Sequence, residues 1–342
     1  MRVLAPLAFI LVLAGTGLIA STASAEKRLP PRTPQELLVD LQQAKTDGLS
    51  GTAVERADLG IPAIPSANGQ EDAELTSLVS GSHTIRVRYS APDKGRLAVL
   101  GTYSEYDIIK NGKDVWTWSS KDNAATHRTV TAEPGSTPSA TPRTPEEAAN
   151  RVLKMLEPTT TVTTDDSVEV AGRPAYELVL DPNDSNTLID QVRIAIDGDT
   201  KLPLRVQVFG TDNKIVFEVA YTSVNFTRPD DSEFMFNPPP GAKVTEVRPG
   251  STPSAQDRQQ AEDTKIIGTG WTAVRITKIG NLGNSQSDQQ LKAFLDKLQP
   301  VHGSWGSGRL LAGTAFSAVW TDDGRLAVGA VRPDVIYQAL SR

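Results

Sequence analysis

Only three imidazoles, His83, His127 and His302, are available for acid–base or metal chemistry, and each falls in a turn or at a strand end, far from the others. No His-x-x-x-His pair or glutamate-bearing zinc pattern accompanies them. The absence of cysteine removes thiol catalysis, disulfides, the common structural zinc sites and the attachment point of a lipoprotein's lipid. Gly303-Ser304-Trp305-Gly306-Ser307-Gly308 has the composition of a phosphate loop but neither its lysine nor a following helix, so it reads as a flexible turn. No Gly-x-Ser-x-Gly nucleophile elbow occurs. Asp165-Asp166, Asp197-Gly198-Asp199 and Asp322-Asp323 lack the loop and closing glutamate of a calcium hand, and hairpin turns account for them. The expectation is a binding protein rather than an enzyme, with no metal and no cofactor.

Trp116 and Trp118 stand at period two on one predicted strand. They are either core packing or part of a cavity wall, where an indole contacts an apolar ligand while its N–H finds a polar partner.

The elements that would position such a cavity are strands. From Gly172 to Val247 apolar and polar residues alternate: Tyr176, Leu178, Leu180; Val192, Ile194, Ile196; Leu204, Val206, Val208; Ile215, Phe217, Val219, Tyr221. Period two marks antiparallel sheet with one buried and one wet face. Earlier strands are predicted at Ser50–Glu55, Thr84–Tyr89, Arg96–Leu100, Tyr103–Ile109, Asp114–Trp118 and Ala125–Val130, with Asn111-Gly112 as a hairpin signal. Thr33-Pro34-Gln35-Glu36 and Thr144-Pro145-Glu146-Glu147 each offer a capping box and a first-turn proline, predicting helices to about Lys45 and about Leu156. Asp58–Gly81 reads as an irregular insertion containing Ile61-Pro62 and Ile64-Pro65.

Met1-Arg2, the apolar run Val3–Ala20 and Ala23-Ser24-Ala25 make residues 1–25 a secretory signal peptide, an uncleaved anchor being the alternative. The folded part is therefore expected outside the cytoplasm, in a cell envelope or periplasm. Without Arg2 the formal net charge moves from −6 to −7, with signs interspersed, which excludes a nucleic-acid footprint. Pro134–Ala140 recurs as Pro249–Ala255, and this Pro/Ser/Gly piece opens a polar linker over 249–265. Residues 26–248 are one domain and 266–342 a small α+β unit, with strands at Trp271–Ile279, Arg309–Ala312, Phe316–Trp320 and Arg325–Val331 and helices at Ser287–Leu298 and Asp334–Leu340.

Five pieces, in this order, carry a resemblance: Ile85–Arg96, Asn111–Trp118, Val170–Leu178, Ile196–Arg205 and the closing Phe-x-Phe-x-Pro-Pro of Phe234–Gly241. The chain to about Val247 resembles the LolA-like superfamily of bacterial envelope proteins, whose branches include lipoprotein carriers and RseB-like sigma-factor regulators. The resemblance implies a mainly β, α+β architecture: a half-open antiparallel β-barrel with a helical lid, whose apolar cavity takes up lipid or lipoprotein acyl chains. The Asp58–Gly81 insertion would be a lid or membrane-facing flap, and Arg86 and Arg88 are candidates for a lid-locking arginine. Phe316–Val328 is similar to a strand–Asp-Gly–strand element in the C-terminal domain of RseB-like regulators, which implies a membrane-protein partner. Alternation then assigns the ligand-facing set as Val87, Tyr89, Trp116, Trp118, Ile194, Val206, Val208, Phe217, Val219 and Tyr221. A carrier or chaperone function is expected, with an RseB-like regulator that docks on a membrane-bound partner as the alternative.

Overall fold

A computed structural model describes residues 29–60, 80–130, 159–247, 264–279 and 286–342. The predicted signal peptide, the helix expected after Thr144 and nearly all of the Asp58–Gly81 insertion lie outside these residues.

Twelve strands form one sheet: β1 (Gly48–Asp58), β2 (Ser80–Ser90), β3 (Lys94–Leu100), β4 (Glu105–Asn111), β5 (Asp114–Ser119), β6 (Ala124–Thr129), β7 (Thr160–Val170), β8 (Arg173–Pro182), β9 (Ile189–Asp197), β10 (Pro203–Gly210), β11 (Ile215–Asn225) and β12 (Lys243–Val247). Their order is β12-β6-β5-β4-β3-β2-β1-β11-β10-β9-β8-β7, so the sheet is open, with β12 and β7 at its two edges. Two meanders, β2–β6 and β7–β11, are joined through β1, which pairs antiparallel with β2 and with β11. Among the described residues the single parallel pairing is β12 on β6. Helix α1 (Pro34–Gln43) starts where the sequence predicts, with the reciprocal hydrogen bonds of a capping box between Thr33 and Glu36.

β7 escapes a sequence reading because most of its side chains are exposed and polar, as suits an edge strand. Asp165-Asp166 is a bulge within it rather than a turn: the register with β8 slips between Asp165 and Val168. The β7–β8 turn, by contrast, is a two-residue hairpin in which Ala171 and Gly172 both have positive φ, 52° and 72°.

Asp197 organises the β9–β10 turn. It is fully buried, accepts bonds from Arg173 Nε at 2.6 Å and Nη2 at 2.9 Å, and also accepts from the Thr200 amide at 2.7 Å and hydroxyl at 2.8 Å. The segment after β11 turns back across the sheet. It passes so close to Gly48 that a Cβ there would sit 2.2 Å from Arg228 Cα, which only glycine permits. Phe234, 1 % exposed, is then buried over β3 and β4.

The second unit has the strands β13 (Thr264–Ile267), β14 (Val274–Lys278), β15 (Gln299–Gly303), β16 (Gly306–Ala312), β17 (Ser317–Thr321) and β18 (Arg325–Gly329), in the order β13-β14-β18-β17-β16-β15. Helices α2 (Gln286–Leu295) and α3 (Pro333–Leu340) complete it. β13 begins inside the stretch read from sequence as linker. The Gly303–Gly308 segment is no loose turn but the tight β15–β16 hairpin, with Gly303 opposite Gly306. Ile336, Val319, Val331 and Val274 fill the core between α3 and the sheet.

Burial would raise the Asp197 carboxyl, but Arg173 and Thr200 outweigh it and hold the group below the usual aspartate value. A depressed folded-state pKa stabilises above the unfolded value, near 3.9, and the gain is lost as pH falls through the folded value. Asp197→Ala is expected to cost about 3 kcal/mol at neutral pH, because it leaves Arg173 without its buried partner. In urea titrations the gap between variant and parent should narrow below about pH 4; a gap that persists undiminished in acid contradicts this role.

Candidate ligand-binding face

Residues directly opposite in a ladder share a face of the sheet. Val206 lies opposite Val219 and Ile194, and Val208 opposite Phe217. Tyr221 is opposite Ala53, and Ala53 opposite Ile85, which by alternation places Val87 and Tyr89 on the same side. Eight of the ten residues expected to face a ligand therefore share one face across β9, β10, β11, β1 and β2. All eight are partly exposed. The Tyr221 ring crosses β1 where Gly51 leaves room, since a Cβ on Gly51 would lie 2.7 Å from it. Burial raises the Tyr221 phenol above its ordinary value.

The remaining two, Trp116 and Trp118, are on the opposite face. Trp116 pairs with Ile109, Ile109 with Arg96, and Arg96 with Arg88, the row alternate to Val87 and Tyr89. There both indoles meet Phe236, at centroid distances of 5.3 and 5.9 Å, so the Phe-x-Phe signature acts as a clamp on this side. Arg88 pairs with Glu233 of the same crossing segment at 3.0 Å. Arg86 is exposed, and with Arg88 it borders a groove lined by Ser50, Thr52, Ser223 and Asn225 that also reaches Gly51 and Val87.

Two covers lie on the apolar face. Leu37 and Leu38 of α1 pack with Tyr176, Leu178 and Ile196, while Ile194 touches this cluster from the side. At the strand ends, Ala315 of the second unit joins Ile189, Val192 and Val216 in one buried cluster, with Leu59, Ile194, Val206, Val208 and Trp271 packed against it. Hydrogen bonds fix this junction: Trp271 Nε1 to Thr160 Oγ1 at 2.8 Å, the Thr314 amide to Leu59 O at 2.9 Å, and Leu188 N to Ala330 O at 2.9 Å. Arg332 Nη2 adds a bond to Asn186 Oδ1 at 2.7 Å.

One polar pair interrupts the face. Glu55, 3 % exposed and opposite Val219, approaches His83 Nδ1 with its Oε2 at 2.9 Å. Sequence reasoning missed it because 28 positions separate the two. His127 has a structural setting: it stacks on Trp116 at 4.2 Å and bonds Glu246 at 2.8 Å and Asp114 at 3.0 Å, tying edge strand β12 to the sheet. Asp322 and Asp323 accept bonds from Ser307, Thr321 and Arg325 in the β17–β18 turn. Among the described residues no group of three His, Asp or Glu is placed to hold a metal ion, and no helix is long and apolar enough to cross a membrane.

Residues 82–247 match the family model of the MucB/RseB N-terminal domain. Over this stretch the chain is RseB-like. The solved structures similar to this RseB-like chain include a Pseudomonas aeruginosa MucA/MucB complex, at 14 % identity and a TM-score of 0.47, covering 90 % of this chain and 96 % of that one. An uncharacterized conserved protein from Thermus thermophilus has 12 % identity and a TM-score of 0.38, with 62 % and 98 % covered. The LolA superfamily protein NE2245 from Nitrosomonas europaea has 10 % identity and a TM-score of 0.23, with 60 % and 99 % covered. No curated protein matches the chain.

Burial opposes charge on His127, but its hydrogen bonds with Glu246 and Asp114 outweigh burial and hold the imidazole above its ordinary value. A raised folded-state pKa means that the clamp on β12 is complete below the unfolded value, near 6.5, and lost as pH rises through the folded one. An NMR titration should place the His127 midpoint above that of a free histidine, and Glu246→Gln should lower it. An unmoved midpoint in that variant would remove Glu246 from the clamp.

Proposed function

We propose that the protein is a non-enzymatic, extracytoplasmic binding protein that holds an acyl chain of a lipid or lipoprotein against the β9-β10-β11-β1-β2 face, as a carrier or chaperone. The observation carrying this reading is the row of partly exposed Val87, Tyr89, Phe217, Val219 and Tyr221, which lies outside the clusters under α1 and beside Ala315, with Tyr221 packed against a separate cluster around Leu204. Each methylene buried on such a surface contributes about 0.8 kcal/mol, so reversible holding needs no covalent step. Trp116 and Trp118 have no part in this surface. Charge and composition offer nothing to a nucleic acid.

A second reading is supported by the family match and by the second unit beyond Val247. In it the RseB-like domain senses lipid while the second unit docks on a membrane-bound regulatory partner. Both readings share the apolar face and differ in what receives the signal.

Native mass spectrometry of residues 26–342, exported and purified without harsh detergent, is expected to show an added mass that organic extraction releases as lipid or acylated peptide. Phe217→Glu and Val87→Glu should cut uptake roughly tenfold to a hundredfold, the worth of one buried apolar side chain. These positions are cleaner than Val206, which also supports the junction with the second unit. A clean apo mass that refuses added lipid, or unchanged occupancy in folded variants, refutes acyl-chain binding at this face.

A further inference from the structure

The second unit does more than hang from the sheet: it ends the apolar face. Ala315 is buried among Ile189, Val192 and Val216, and Trp271 packs on the same cluster as Ile194, Val206 and Val208. The Trp271 indole N–H is satisfied by Thr160 at the sheet edge strand, and Thr314, next to Ala315, is held by one backbone bond to Leu59 O and by its hydroxyl to Asp58 O at 2.6 Å. Thr187 bridges to Val331 on the other side of the junction. These bonds anchor both sides of the junction, Trp271 to the Thr160 hydroxyl and Thr314 to the backbone at the end of β1, so Ala315 and Trp271 stand as a fixed surface across the ends of β9, β10 and β11.

We infer that Ala315 and Trp271 form the end wall of the acyl-chain site and set the length of chain that it accepts. This rests on the acyl-binding reading above and adds the specificity determinant, which lies in the second unit rather than in the LolA-like sheet. A chain lying along the strands past Phe217 and Val208 meets Ala315 and Trp271 instead of solvent. Methylenes up to the wall gain burial; those beyond it must displace packed side chains, and core packing tolerates little added volume. Affinity should therefore rise with chain length by about fourfold per methylene and then stop rising at a defined length. A site open at this end would show no such break.

The test displaces a dansyl fatty acid from residues 26–342 with saturated fatty acids from decanoic to stearic, for the parent, Ala315→Leu, Ala315→Val and Trp271→Ala. Thermal melts confirm that each variant is folded; Ala315→Val is the smaller intrusion should Ala315→Leu fail to fold. The expected result is a break at shorter chains in the two Ala315 variants and at longer chains in Trp271→Ala. A wall that is only structural would change the melts and leave the break in place, and that outcome overturns the inference while the acyl-binding reading stands. Failure of the parent itself to bind any member of the series overturns both.

Discussion

Strand β1 is the constraint on which the architecture depends. Its eleven residues are hydrogen-bonded on both sides, to β2 over its full length and to β11 from Ser50 to Ala57. Without it the two meanders would be separate sheets with β2 and β11 as bare edges. Because side chains alternate with period two, the register of β1 also decides that Tyr89 and Val219 face the same side. The bulge between Thr52 and Ala53, matched by the extra residue Thr222, is a local correction that keeps Gly51 beneath the Tyr221 ring.

The sheet is covered on both faces by different means. The face carrying Val87 and Val206 is capped by α1 and by the second unit, leaving a band between. The other face is laced with ion pairs, among them Arg205–Glu177 at 2.9 Å, Arg96–Asp107 at 2.8 Å and Arg56–Glu218 at 3.2 Å. Its apolar remainder around Trp116 and Trp118 is sealed by Phe234 and Phe236. Glu177 and Asp107 are deeply buried, so their arginines do not decorate a surface but neutralise charges that would otherwise stand unpaired in a low-dielectric layer.

Strand alternation, the capping box at Thr33 and the hairpins at Asn111-Gly112 and Thr321–Gly324 were readable because they are local. They follow from neighbours a few positions apart. The side taken by Trp116 and Trp118 was not readable, since Val115, Thr117 and Ser119 offer no opposing apolar row and the cover, Phe236, lies more than a hundred positions away. The pairing of Glu55 with His83 and the burial of Ala315 have the same cause: each depends on which distant strands become neighbours. β7 was lost for another reason, because an edge strand need bury only one side and its polar pattern resembles loop.

The route of the chain between its two units has a consequence for how firmly they join. β12 leaves the sheet at one edge, while the second unit sits at the ends of β8 to β11, and only the sixteen residues 248–263 separate β12 from β13. A connection that short keeps the unit at an effective local concentration on the order of millimolar. Its contacts, the apolar cluster around Ala315 together with the hydrogen bonds of Thr314, Trp271 and Arg332, therefore need only modest intrinsic affinity to stay closed. The same arithmetic protects the junction: a competitor for either surface must work against that local concentration, and a contact that opens recloses without a search through solution.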